Sequence, residues 1–391
     1  MKGKIHVTIP KILFLSDVDI STPGGAQESM KILMEELGES FEFYLIGPSG
    51  KQINKRHRVL NVYKDFIVRG KGPLELMNLT KDLSNEIKKV NPDIIHVQMP
   101  STLVLLNLLF SIGLLSKNVE IVYTDRGVYG KYGKITTLSV NSIIKKANKI
   151  VTTTYVNKNN YTELYKDYEK HSRKFEVIYN TAGKIFDSYV DEKSKEIRAK
   201  YHIKEKQFVV GFCGRYNEQK NWPLTKEIIE TYAKDTNIKF IIVLGSDGTQ
   251  QNYKDATEYI DSLKGKVGSN KILSFIDITN KEMAELYYAM DCFILTSKWE
   301  SFGRTAVEAM ARKNAVIGTG VDGLSEVIGN KQYIFNTAEE AVNIVDSIMN
   351  SREKLIESKE YFYNRYHSLF GYRINIQKYK KLYREILSGI V

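Results

Sequence analysis

Short apolar runs alternate with longer amphipathic stretches along the whole chain. In the first half the apolar runs are residues 12–15, 43–46, 94–97, 120–123 and 150–153. Runs of this length, with β-branched residues throughout, predict strands buried on both faces. Residues 26–37 and 74–89 repeat apolar positions three and four apart, the period of a helix with one face inward. Alternation of the two predicts a parallel sheet covered by helices on both sides. After residues 175–178 the chain turns polar and charged through 187–206, and we read that stretch as a linker. The alternation restarts at 208–213, 240–244, 272–275, 292–295 and 315–317. The pattern thus predicts an α/β protein of two Rossmann-like, doubly wound domains, with a cleft between the carboxyl ends of their strands, where such sheets bind ligands.

Length agrees, since 391 residues are too many for one ordinary core. The most apolar segment, 103–115, is interrupted by Asn107 and Ser111. It falls short of the roughly 20 residues a membrane-spanning helix needs, so it is expected in the core. The first ten residues are too polar for a secretory signal. Cys213 and Cys292 lie inside apolar runs, and no CxxC or His/Cys cluster suggests zinc. Both points fit a cytoplasmic, reducing setting.

Charge changes the picture more. The formal net charge is +11, and residues 1–185 carry 27 Lys and Arg against 18 Asp and Glu, a net of +9. Lys51, Lys55, Arg56 and Arg58 are expected in one loop, and Lys145, Lys146 and Lys149 on one helix. A basic surface of this kind attracts phospholipid, lipid-linked phosphate, anionic polymer or nucleic acid. The reading adopted is an anionic membrane surface or acceptor, with no nucleic acid.

Three segments carry candidate chemistry. Gly24-Gly25 follows the first strand and opens a helix, where free N–H groups can meet a phosphate. Gly214-Arg215 and Lys220 follow a buried strand, and two cations there suit a diphosphate leaving group. Glu300-Ser-Phe-Gly303 leads into a helix beginning near Arg304 and carrying Glu308. Its carboxylates can hold sugar or ribose hydroxyls, and the N–H groups of Arg304 and Thr305 can hold phosphate oxygens. His96 and His57 are lone histidines, and His96 closes the strand 94–97.

These segments together resemble the retaining family 4 glycosyltransferases, which have the GT-B fold. Glu300…Glu308 is similar to the family's E-x7-E, Gly214-Arg215…Lys220 to its G-R-x4-K, Gly24-Gly25 to its N-terminal glycine loop, and Val177-Ile178-Tyr179-Asn180 to its V-I-P-N stretch. The segments Phe275…Tyr287 and Val316…Val327 match those flanking E-x7-E. The resemblance implies an acceptor domain of 1–185 joined by a returning C-terminal helix, 370–391, and a donor domain of 186–369. It implies that Arg215 and Lys220 neutralise the donor diphosphate, Glu300 contacts the donor sugar, and Glu308 binds the ribose. It implies donor-side roles for Gly24, Gly25, Arg304, Thr305 and Asn180. It implies no metal, since the two cations take its place, and no cofactor, because the nucleotide-sugar, a UDP-sugar first, is a substrate. The acceptor is expected to be a glycan, a lipid-linked group or an anionic polymer of the cell surface. The sequence departs from the family where Arg126 stands at the position of a frequent histidine, with Asp125 beside it. Arg126 cannot accept a proton near neutral pH, but it can bind a hydroxyl, phosphate or carboxylate, or simply pair with Asp125. Two alternatives are an epimerase or phosphorylase on the same fold and a non-catalytic polyanion-binding protein.

Overall fold

The computed structural model describes residues 9–17, 19–21, 24–48, 57–63, 72–115 and 119–389. Pro23, Lys51, Lys55 and Arg56 lie outside them. The chain divides into two compact units, residues 1–179 with 373–391, and residues 180–372.

The first unit is built on a parallel sheet of seven strands: β1 (Lys11–Leu15), β2 (Glu42–Pro48), β3 (His57–Tyr63), β4 (Ile94–Val97), β5 (Glu120–Asp125), β6 (Lys149–Thr152) and β7 (Phe175–Val177). Their spatial order is β3-β2-β1-β4-β5-β6-β7. Helices α1 (Gly25–Leu37), α2 (Pro73–Val90), α3 (Pro100–Ser111), α4 (Lys134–Lys146), α5 (Tyr155–Leu164) and α6 (Tyr168–His171) connect them. The order reverses between β1 and β4, so the loops at the carboxyl ends of these two strands diverge and leave room for a ligand. All four residues of β4 are buried, as expected for a strand covered on both faces.

The second unit repeats the plan with six parallel strands in the order β10-β9-β8-β11-β12-β13. They are β8 (Phe208–Arg215), β9 (Ile238–Gly245), β10 (Ile272–Ile276), β11 (Cys292–Leu295), β12 (Ala315–Thr319) and β13 (Ile334–Phe335). The helices are α7 (Asp191–Lys200), α8 (Trp222–Thr231), α9 (Gln250–Val267), α10 (Asn280–Leu286), α11 (Arg304–Ala311), α12 (Asp322–Ile328), α13 (Ala338–Met349) and α14 (Arg352–Arg365). Here the order reverses between β8 and β11. A last helix, α15 (Tyr372–Leu387), lies almost wholly in the first unit.

Three expectations change. The polar stretch read as a linker holds α7, which belongs to the second unit. That helix buries only Ile197, while Arg198 donates to the carbonyl of Ala289 and to Asp291, so it shows almost no apolar period. Arg58 lies in β3, not in a loop. Lys145 and Lys146 end α4, but Lys149 opens β6, because the chain leaves the helix at Ala147 to reach the sheet. Of the segment 103–115 expected in the core, Leu103, Leu105, Leu106 and Leu109 of α3 are fully buried, each worth about 1.5–3 kcal/mol, whereas Ile112, just past the helix, is 55% exposed. Among the described residues no helix is long and apolar enough to cross a membrane.

Candidate active site

In the second unit the candidate residues gather where the strand order reverses. β8 is buried until its end, where Arg215 emerges exposed. The chain then turns back: the side chain of Asn217 accepts from the N–H of Lys220 at 3.3 Å. Asn221 takes the left-handed conformation, φ 51°, and α8 starts with Pro223 in its first turn. Trp222 ties the loop down by donating from Nε1 to the carbonyl of Arg215 at 2.9 Å. This folding carries the stem of Lys220 across the strand. A methyl group on Gly214 would lie 2.9 Å from Cγ of Lys220, so glycine is what allows the crossing. The Lys220 ammonium ends 2.6 Å from Oε2 of Glu300, with only 17% and 12% of the two side chains exposed.

The loop after β11 is zipped to this one. Lys298 donates its N–H to the carbonyl of Gln219 at 2.8 Å, and Gln219 Nε2 donates to the carbonyl of Trp299 at 3.0 Å. The hydroxyl of Thr296 donates to the carbonyl of Lys220 at 2.8 Å. Glu300 is held from its backbone too, donating to Asp322 Oδ2 at 3.1 Å. The next turn passes through Gly303, φ +85°, into α11. The first N–H groups of a helix have no acceptor within it, and those of Arg304 and Thr305 stand in this position. Thr305 Oγ1 and Ser297 Oγ are also buried without a hydrogen-bond partner among the described residues.

Glu308 is 7% exposed and is held by Arg304 and Tyr287, among others. Arg304 Nε lies 3.1 Å from its Oε1, and the Tyr287 hydroxyl donates to Oε2 at 3.1 Å. Burial first, and the Glu308 charge second, push the Tyr287 phenol far above its usual value, so it remains a donor. The Arg304 side chain also reaches the carbonyl of Ala182 at 3.2 Å. Its guanidinium thus serves α11 and the preceding chain. Among the described residues no three His, Cys, Asp or Glu side chains gather as a metal site.

The first unit holds Gly24, Gly25 and Arg126, while Asn180 is the first residue of the second. Gly24 caps α1 and Gly25 is its exposed first residue. Asp125 and Arg126 turn to different partners, as neighbours leaving a strand do. Arg126 donates from Nε to Gln98 Oε1 at 2.8 Å, and from a terminal nitrogen to the hydroxyl of Ser29. Asp125 accepts from the Tyr123 hydroxyl at 3.1 Å, from the Gly127 N–H at 3.0 Å, and from the hydroxyls of Tyr132 and Tyr161. Burial, then the Asp125 charge, hold all three phenols well above their usual value. His96 is fully buried between the Tyr383 hydroxyl at 2.6 Å and Thr124 Oγ1 at 2.8 Å, a structural bridge from β4 to α15 and β5. Asp322, Tyr287, Gln98 and Ser29 were not singled out from the sequence. Of these, Tyr287 and Asp322 lie in matched segments.

Known proteins share this arrangement of the chain. The family described as "Glycosyl transferases group 1" matches residues 193–365, and the one described as "Glycosyltransferase Family 4" matches residues 23–182. The two matches fall one in each unit, and the chain is a glycosyltransferase. Alpha-monoglucosyldiacylglycerol synthase of Acholeplasma laidlawii is 26% identical to this glycosyltransferase, over 72% of each chain. In fold, sucrose-phosphate synthase of Thermosynechococcus elongatus superposes with a TM-score of 0.81 at 16% identity, over 97% of this chain and 100% of that one. HepE of Anabaena, in complex with UDP-glucose, gives 0.77 at 17% identity, over 96% of this chain and 99% of that one. These likenesses show the GT-B fold.

Proposed function

We propose that this glycosyltransferase moves a glycosyl group from a UDP-sugar to a glycan, lipid-linked or anionic polymer acceptor, with retention of configuration and without a metal. The observation that carries the reading is the Lys220–Glu300 pair, shielded from solvent at the strand-order reversal of the second unit. A phosphate beside Lys220 competes with Glu300 for the ammonium, and the released carboxylate is free to accept from sugar hydroxyls. Arg215, exposed at the end of β8, supplies a second cation for the diphosphate, and the first N–H groups of α11 supply neutral donors. Glu308 takes the ribose hydroxyls, with Tyr287 fixing its carboxylate. In the reaction the bond from the anomeric carbon to the phosphate oxygen breaks, and the acceptor oxygen bonds to the same face. The acceptor proton passes to the departing phosphate.

The UDP preference draws on the nucleotide in the HepE complex, and the lipid-linked acceptor on the alpha-monoglucosyldiacylglycerol synthase. The basic first unit supports a setting in the cytoplasm, at the inner face of a membrane.

Transfer measured by mass spectrometry with a panel of nucleotide-sugars tests the proposal. Glu300→Gln and Lys220→Met should each lower kcat about 100-fold, the equivalent of about 2.7 kcal/mol in the transition state. Both should leave the thermal midpoint near that of the parent. Wild-type turnover in both variants, or activity lost in EDTA and restored by Mg²⁺, counts against it. A requirement for free phosphate, or conversion of the nucleotide-sugar without an acceptor, favours a phosphorylase or epimerase. No heat on titration with UDP favours a polyanion-binding protein.

A further inference from the structure

Helix α4 faces two ways. Val140, Ile143 and Ile144 point into the core and are fully buried. Ile135 and Leu138 of its first turns are 72% and 68% exposed, the two most exposed large apolar side chains among the described residues. Three apart on a helix, they share a face. Core packing does not account for them, since other residues of α4 meet the core.

Their surroundings are cationic. From Arg126 to Thr162 the sequence holds Arg126, Lys131, Lys134, Lys145, Lys146, Lys149 and Lys158, and no Asp or Glu. Lys131 and Lys134 immediately precede the apolar pair and are exposed. A second pair, Leu74 and Met77, stands exposed on the first turns of α2, at 67% and 46%. Helices α2 and α4 both pack against α3. Both begin at the carboxyl edge of the sheet, where Arg126 lies.

We propose that this edge of the first unit docks on an anionic lipid bilayer through the first turns of α4. Ile135 and Leu138 would enter the boundary between headgroups and acyl chains, and Lys131 and Lys134 would reach the headgroup phosphates. Charge complementarity selects the occupant. An anionic polymer would use the lysines but leave the apolar pair in water. A second copy of this unit would bring its own excess of positive charge, +9 over residues 1–185, against the same face. A bilayer with anionic headgroups satisfies both features, because long basic side chains lie along an apolar surface with their charge outward. The inference rests on the proposed acceptor only for its purpose: an acceptor anchored in that bilayer would present its reacting end at the carboxyl edge.

Co-sedimentation of the full chain with vesicles tests this, using phosphatidylglycerol–phosphatidylcholine and pure phosphatidylcholine vesicles at low and high salt. The chain should bind the anionic vesicles alone and weaken as salt rises. Lys131→Gln with Lys134→Gln should lower the partition coefficient by roughly fivefold per cation removed. Ile135→Ser with Leu138→Ser should lower it about tenfold or more, with the thermal midpoint unchanged. Transfer to a water-soluble acceptor should be unaffected, so failure of the function and failure of the docking surface are read separately. Equal binding to neutral vesicles, no binding, or wild-type binding by the serine variant overturns the proposal. So does a dimer in sedimentation velocity that the serine variant abolishes.

Discussion

The stem of Lys220 lies so close over Gly214 that an added methyl would come within 2.9 Å of its Cγ. The strand backbone cannot yield there without disturbing its pairing with Leu244 of β9, so the lysine has to move. Gly214→Ala should therefore act on chemistry more than on stability. We expect kcat to fall about tenfold or more, with unfolding shifted by no more than about 1–2 kcal/mol, a typical overpacking cost. Steady-state kinetics beside thermal unfolding would check the two together. A stability loss without a kinetic one would mean that Lys220 does not need this path. Arg215 with Lys220, and Glu300 with Glu308, can be read in the sequence because each pair is spaced locally along its own strand–loop–helix unit. Their holders are not. Asp322, which accepts from the Glu300 N–H, sits 22 residues away and reads alone as an ordinary acid opening a helix. Gln98 and Ser29 reach Arg126 from β4's end and from α1, a convergence that only the sheet order brings about.

Helix α11 shows how much one cap controls. It has only eight residues, and its amino end is fixed by Gly303 at φ +85°. A side chain there is strained by the backbone, and its Cβ would meet Leu324 Cδ1 of α12 at 2.8 Å. Gly303→Ala should cost about 1–3 kcal/mol, as left-handed non-glycine residues do. It should also tilt the N–H groups proposed for the diphosphate. Calorimetric titration with UDP should show affinity reduced about tenfold, and unaltered affinity would remove α11 from the proposed nucleotide site. The same helix was legible as an element because a buried strand, a glycine and an apolar period succeed one another. β3 and α7 were not. β3 carries His57, Arg58 and Asn61 among seven residues at the sheet edge, and α7 buries a single residue, so neither leaves a hydrophobic period to read.

Across the whole chain, the first unit is completed by its farthest segment. His96 of β4 bonds Tyr383 of α15, 287 residues on, and Thr124 bonds Tyr379 at 3.2 Å. Burial first, then the Arg126 charge, hold the His96 pKa well below the usual 6.5, so the folded unit keeps this ring neutral. The unfolded chain takes up a proton as pH falls through about 6.5, and the folded one does not until well below that. Stability therefore declines with falling pH from this point, by up to about 1.4 kcal/mol per pH unit for this one group. In His96→Gln the slope below pH 6.5 should flatten, measured by denaturant unfolding at a series of pH values. Matching slopes in the two proteins would show that His96 is already protonated in the fold. The two-domain α/β plan was legible as a whole because two trains of buried strands repeat, whereas the tie through His96 was not, since it joins residues with nothing in common along the chain.

The return of α15 also fixes an order of events during synthesis. Strands β1 to β7 leave the ribosome first, yet Tyr379 and Tyr383 follow only after the entire second unit, residues 180–372, has been made. At about 5–20 residues per second, that delay is on the order of ten to forty seconds. Throughout it the polar groups of His96 and Thr124 have no tyrosine partners, and the sheet face that α15 will cover stays open to water and to other chains. The second unit, contiguous in sequence, can close in the meantime. The basic half of this glycosyltransferase is thus begun first and finished last, and in the crowded cell its unfinished sheet is the part most in need of a chaperone.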